Sequence, residues 1–346
     1  MTSHEKNIRV LVVDDSGLVR EMIRDILSTE PGITVIGEAG NGAEAIAMVT
    51  ELKPDIVTMD IEMPIMGGLE AIERIIAECP TPILVVTSLT GVRTAFAAVS
   101  KGALDVIEKP DITPETSHKL VHKIRVLAKI DMTSHMQAIA RRNTCVVEKP
   151  AVVAKHEVKV RVVAIAASTG GPQAIDFILS RLPAEFPTPI VITQHIADGF
   201  TQGMADWLNN STPLTVIVAA NGNCISPGNV YLNPAEHSMK ITQHGMIILS
   251  DKPAGQIYSP SCNTMLDSIA SSYQESALGL ILSGMGHDGA SGILSIKKAG
   301  GITFAQDENS SVIYGMNKVA VDNGGTARVL PLSEIPDELL KQVRIK

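Results

Sequence analysis

The sequence predicts an α/β protein of two units, each built on a mostly parallel sheet. Three observations carry this. Near-continuous Val/Ile/Leu runs alternate with amphipathic stretches, the pattern of strands covered on both faces by crossover helices. Aromatic residues are only 3% of the chain while hydrophobic residues are 45%, so the cores must be aliphatic. The length of 346 residues suits about two domains, and a polar, weakly periodic stretch at 131–158 interrupts the alternation.

The first unit, 6–130, reads as a doubly wound (βα)5 domain. Predicted strands at Ile8–Val13, Ile33–Ala39, Asp55–Met59, Ile83–Thr87 and Leu104–Ile107 are separated by helices at Leu18–Ser28, Gly42–Leu52, Gly68–Glu78 and Val92–Ser100, and Pro114–Lys129 closes the series. Pro54 and Pro80 stop two of the helices. Residues 131–158 read as a linker with a short helix near Met136–Arg141. The second unit, 159–346, is expected to be a mostly parallel doubly wound α/β domain. Its strands are predicted at Arg161–Ala166, Ile190–Thr193, Gly279–Leu282 and Ile302–Phe304, with helices at Pro172–Arg181, Phe200–Asn209, Asn263–Tyr273 and Gly289–Ala299. Residues 214–250 carry the turn pairs Asn221-Gly222 and Pro227-Gly228 and are expected to form a small antiparallel insert.

Composition excludes several classes. The net charge is −8, and no basic helix-turn-helix segment follows residue 130, so nucleic acid is not an expected partner. No apolar run is long enough to insert in a membrane, and the N-terminus lacks a signal-peptide core. The four cysteines are far apart; free thiols in a reducing cytoplasm are expected, in a monomeric protein.

Two constellations carry chemistry. In the first, each strand end delivers a polar residue: Asp14 and Asp15 after Val13, Asp60 after Met59, Thr87 at the end of its run, Lys109 after Ile107. The C-terminal edge of a parallel sheet is where ligands bind. Three carboxylates there suit Mg²⁺, and a hydroxyl and an ammonium beside them suit a phosphoryl group. Singly, each residue reads as a helix cap or loop residue; together they do not. The stretches VVDDS, MDIEMP, TS and KP resemble a response-regulator receiver domain. The resemblance implies Asp60 as phospho-acceptor, Asp14, Asp15, Asp60 and the Glu62 carbonyl as Mg²⁺ ligands, Thr87 and Lys109 as the switch pair, and a sensor histidine kinase as phosphodonor. Receivers often carry an aromatic residue three positions before the lysine; Val106 stands there.

In the second constellation, Ser168 lies between a strand and a helix in AIAASTGGP. Three readings compete: a glycine-rich phosphate turn, although neither standard phosphate motif is present; a plain helix cap; and a nucleophile at a strand–helix turn, whose N–H groups stabilise an oxyanion. His195 and Asp288 also follow strands, so nucleophile, general base and orienting carboxylate can meet at one sheet edge. His287 and His237 are rival bases. The stretches ASTGGP, QH…GF, SPGNVYLNPAEH, PSCN, SGMGHDGA and AQDE…SVIYGM resemble the catalytic domain of chemotaxis protein-glutamate methylesterases. The resemblance implies Ser168, His195 and Asp288 as the triad, with Thr169 and the Met285 backbone supporting the nucleophile turn and oxyanion. It also implies hydrolysis of glutamyl γ-methyl esters on chemoreceptor cytoplasmic helices, deamidation of glutamines there, control by the receiver, and no cofactor for the hydrolysis. Typical members have proline where this chain has Asn317.

Overall fold

The structure, a computed structural model, describes residues 7–88, 92–111, 113–132, 160–251, 258 and 260–343. The chain divides into two compact units, Met1–Gln137 and Ala138–Lys346. Most of the expected linker, with its short helix, lies outside the described residues.

In the first unit, strands β1 (Ile8–Val13), β2 (Ile33–Ala39), β3 (Ile56–Met59), β4 (Ile83–Thr87) and β5 (Asp105–Glu108) form one sheet in the order β2-β1-β3-β4-β5. All its pairings are parallel. Helices α1 (Gly17–Ser28), α2 (Gly42–Leu52), α3 (Gly68–Glu78), α4 (Val92–Ser100) and α5 (Pro114–Leu127) are the crossovers. Every residue of β3 and β4 is buried, as unbroken apolar runs demand. Asn41 caps α2 by accepting the Glu44 N–H, while the Glu44 carboxylate accepts from Asn41 Nδ2.

The second unit holds a seven-stranded parallel sheet. Strands β6 (Val162–Ala167), β7 (Ile190–Gln194), β8 (Thr215–Val218), β9 (Asn229–Leu232), β12 (Ala277–Ile281), β13 (Ile302–Gln306) and β14 (Arg328–Leu330) take the order β14-β13-β12-β6-β7-β9-β8. Helices α6 (Gly171–Leu179), α7 (Thr201–Ser211), α8 (Cys262–Tyr273), α9 (Ala290–Lys298), α10 (Met316–Asp322) and α11 (Ile335–Val343) complete it.

The expected insert at 214–250 is only partly antiparallel. β8 and β9 join the main sheet in parallel, because β9 buries Val230, Tyr231 and Leu232. The antiparallel pair is β10 (His237–Ile241) with β11 (Ile247–Asp251). Its Met239, Ile241 and Ile247 join the apolar cluster that holds Met265, Leu266 and Ile269 of α8. Among the described residues no helix is long and apolar enough to cross a membrane. Cys79, Cys224 and Cys262 are free thiols.

Candidate active site

Strand order explains what the second sheet assembles. β12, β6 and β7 are adjacent, so the residues leaving their C-terminal ends share one edge. Ser168 follows β6 directly, His195 follows β7 directly, and Asp288 closes the loop after β12.

Ser168 opens a tight turn. Its carbonyl accepts the Gly171 N–H at 2.7 Å, and Gly170 between them sits at φ 78°, ψ −7°, the third position of a type II turn, where a side chain would be strained. Ser168 N–H donates to the Ser283 carbonyl at 3.0 Å. Ser283 Oγ donates to the Thr169 carbonyl at 2.8 Å. Gly284 lies so close that a Cβ there would stand 2.8 Å from Ser168 Cβ. Met285 follows, and among the described residues its N–H has no hydrogen-bond partner.

His195 Nε2 meets Asp288 Oδ2 at 2.8 Å. Asp288 is 2% exposed and sits on the first turn of α8. Oδ2 accepts the Cys262 N–H at 2.7 Å, and Oδ1 accepts the Asn263 N–H at 3.0 Å and Ser261 Oγ at 3.4 Å. A helix N-terminus supplies such unpaired N–H groups and a favourable dipole. Burial raises the Asp288 pKa, but the hydrogen bond and charge of His195 and the two N–H groups outweigh it, and the carboxyl is held below its usual value. With Nε2 committed to Asp288, Nδ1 is the ring nitrogen left to face a nucleophile. Among the described residues no hydrogen bond joins the Ser168 hydroxyl to His195.

Cys262 Sγ lies 3.5 Å from His195 Nε2, and with Asp288 these side chains cluster as metal ligands would. The donor set favours a relay instead, since both Asp288 oxygens already accept N–H bonds. Burial, then the Asp288 charge, pushes the Cys262 thiol well up, which keeps it protonated and a poor nucleophile.

The CheB methylesterase family model matches residues 163–339, and the response regulator receiver domain model matches 10–123. The chain belongs to the CheB methylesterase family. A protein-glutamate methylesterase/protein-glutamine glutaminase of Paramagnetospirillum magneticum is 46% identical over 343 residues, 96% of each chain. Its counterpart from Anaeromyxobacter dehalogenans is 41% identical over 98% of each. The crystal structure of the Thermotoga maritima CheB methylesterase catalytic domain superposes with a TM-score of 0.51 at 35% identity, covering 53% of this chain and 99% of that one.

Among the described residues neither rival base hydrogen-bonds Asp288. His287 is exposed and packs edge-on against Tyr258, with ring centroids 5.3 Å apart. His237 lies on β10, 3.6 Å from Asp251. Two neighbours of the site carry no signal in the sequence, and a third, Asn317, stands there only as a departure from the resembled family. Tyr258 stacks on the His195 ring at 5.2 Å and 10°. Gln194 ties two loops together, as argued below. Asn317 is fully buried, and its Nδ2 donates to the Gln306 carbonyl at 3.0 Å and Ser311 Oγ at 2.8 Å. Gln306 in turn accepts the Ser283 N–H at 2.9 Å, so Asn317 braces the loop behind Ser168.

The receiver site is equally compact. Lys109 Nζ bridges Asp14 Oδ2 at 2.7 Å and Asp60 Oδ2 at 2.8 Å. Asp60 Oδ1 accepts the Ile61 N–H at 2.7 Å. Asp14, Asp15 and Asp60 each turn a carboxylate oxygen into one cluster, a hard-oxygen donor set that fits Mg²⁺. Glu62 has an exposed side chain outside that cluster. Thr87 is 1% exposed, and its Oγ1 has no partner among the described residues. Val106 is half-buried and pairs with Val85.

Burial pushes the Asp14 carboxyl above its ordinary 3.8, against the lowering pull of Lys109 and the Ser16 N–H. A raised folded pKa means that ionisation is harder in the fold than in the unfolded chain. The penalty sets in as pH climbs past 3.8 and is complete above the folded value. Asp14→Asn is therefore expected to raise the receiver's thermal midpoint at neutral pH, and to abolish any further rise on adding Mg²⁺. Calorimetry with and without the metal checks both.

Proposed function

We propose that this chain is a cytoplasmic protein-glutamate methylesterase and protein-glutamine glutaminase that acts on chemoreceptor helices and is switched on by phosphorylation of Asp60. The observation that carries the reading is the 2.8 Å His195–Asp288 pair beside the Ser168 turn on three adjacent strands. Ser168 Oγ attacks the glutamyl ester carbonyl while His195 Nδ1 takes its proton. The oxyanion lies against main-chain N–H groups, with Met285 as one donor and Thr169 supporting the turn. The C–OCH₃ bond breaks, and methoxide leaves as methanol with the proton from His195. Water then repeats the sequence on the acyl-enzyme, with His195 as base, and frees the glutamate. On a glutamine side chain the same steps release ammonia. Asp288 fixes the imidazole tautomer and stabilises imidazolium.

In the receiver, an Asp60 oxygen forms a bond to the phosphorus of a kinase phosphohistidine as the P–N bond breaks. Asp14, Asp15 and Asp60, with the Glu62 carbonyl, would hold Mg²⁺, whose charge offsets that of the incoming oxygens. Lys109 and the Thr87 hydroxyl meet the new phosphoryl oxygens. The unphosphorylated receiver hinders receptor access to Ser168, and phosphorylation shifts the population toward an accessible arrangement. The order receiver, linker, hydrolase in one chain motivates this.

The test is methanol release from methylated receptor membranes by the full chain, with and without acetyl phosphate, and by residues 160–346 alone. The phosphodonor is expected to raise the full-chain rate about tenfold or more, as differential binding of about 1.4 kcal/mol allows, and to leave the fragment unchanged. A fragment no faster than the untreated full chain would overturn inhibition by the receiver, and no methanol from any of them would overturn the esterase.

A further inference from the structure

We propose that Gln194 is a positioning residue for the reaction assigned above to Ser168 and His195, an inference that rests on that reading. Gln194 is the last residue of β7 and is 5% exposed. Its Nε2 donates to the Ser168 carbonyl at 2.8 Å and to the His195 carbonyl at 2.9 Å. A primary amide has two N–H donors, and both are spent on the main chains of the two residues that must exchange a proton.

The surrounding bonds give this amide its leverage. His195 N–H donates to the Ala167 carbonyl at 3.0 Å, so the ladder between β6 and β7 runs up to the two loops and then ends. Beyond that point Gln194 is the link that joins them. The Ser168 main chain is held at its N–H by Ser283 and at its carbonyl by Gly171 and Gln194. Its hydroxyl makes no hydrogen bond among the described residues and is left for substrate and base. Proton transfer needs its two atoms at hydrogen-bond distance, and the amide plane sets how far apart the two loops stand.

Two further features indicate that the amide is there for its donors. Gln194 Oε1 is buried and has no partner among the described residues. An unpaired buried acceptor is unfavourable, and methionine would fill the same volume without it. The amide also occupies room left by a missing side chain, since a Cβ on Gly171 would lie 2.1 Å from Oε1.

Gln194→Met keeps the bulk and removes both donors. The full chain, activated with acetyl phosphate, is read in two ways: methanol release from methylated receptor membranes, and the rate at which a small fluorophosphonate labels Ser168. Gln194→Met is expected to lower kcat by about 10–100-fold with little change in KM, and to slow labelling by a similar factor. Gly171→Ala, whose Cβ would meet Gln194 Oε1 at 2.1 Å and Ala167 Cβ at 2.7 Å, presses on the amide and on the residue before Ser168 together and is expected to slow labelling at least as much. Thr188→Val is the stability control. Thr188 is 1% exposed, and its Oγ1 donates to the Val160 carbonyl at 3.0 Å at the opposite end of β7.

The positioning role is overturned if folded Gln194→Met or Gly171→Ala labels and turns over within about twofold of Thr188→Val. Wild-type labelling without methanol release would sink the receptor-ester reading, and the labelling rates would still decide the role of Gln194. Failure of the wild type both to label and to release methanol would overturn both.

Discussion

Alanine at position 168 is expected to leave methylated receptors essentially untouched, with kcat down by about 10⁶, the scale of loss when a triad loses its serine. The turn that presents Ser168 is held by main-chain bonds from Gly171 and Ser283, none of which uses the hydroxyl, so Ser168→Ala should fold normally. Ser168 is 7% exposed, and removing one oxygen leaves little void. Methanol assays of wild type and variant, with unchanged far-UV circular dichroism as the folding check, measure the effect. Residual turnover within about tenfold of wild type would show that another group performs the attack.

Asp288→Asn is the second large effect, expected at about 10⁴ in kcat. The carboxylate accepts from His195 Nε2, from the Cys262 and Asn263 N–H groups and from Ser261 Oγ. An amide must turn its NH₂ toward some of those donors. Either His195 is driven into the wrong tautomer, or an N–H at the start of α8 loses its acceptor at about 1–3 kcal/mol. Stability should respond to pH as well. The folded pKa of Asp288 is lowered, so its stabilising contribution is present above the ordinary 3.8 and is lost as pH falls through the lowered folded value. Thermal midpoints of wild type and Asp288→Asn should therefore differ at neutral pH and draw together only in that acid range.

Much of this was legible in the sequence because buried parallel strands write themselves as apolar runs. Val10–Val13, Ile83–Val86 and Val162–Ala167 are all fully or nearly fully buried, and the polar residues that follow them land at one edge by topology alone. What escaped has physical reasons too. β14 has three residues, too few to show a period. β8 and β9 look like hairpin strands because their turns are glycine-rich, and only the burial of Val230 and Leu232 places them in the main sheet. The bonds that hold Asp288 come largely from peptide N–H groups, which every residue but proline owns and no motif records. The roles of Gln194 and Asn317 were hidden for a related reason, since their partners include carbonyls 26 and 11 positions away. The roll of Tyr258 over His195 needed coordinates, because nothing local in the sequence pairs the two.

Position 262 shows where such silence leads. The peptide N–H there donates to the Asp288 carboxylate at 2.7 Å. Its thiol lies 3.5 Å from both the Thr193 carbonyl, to which it donates, and His195 Nε2. The carboxylate's hold there thus belongs to the backbone, and any side chain small enough for this fully buried site keeps that donor. Proline would silence it, leaving Asp288 Oδ2 one bond short at the start of α8.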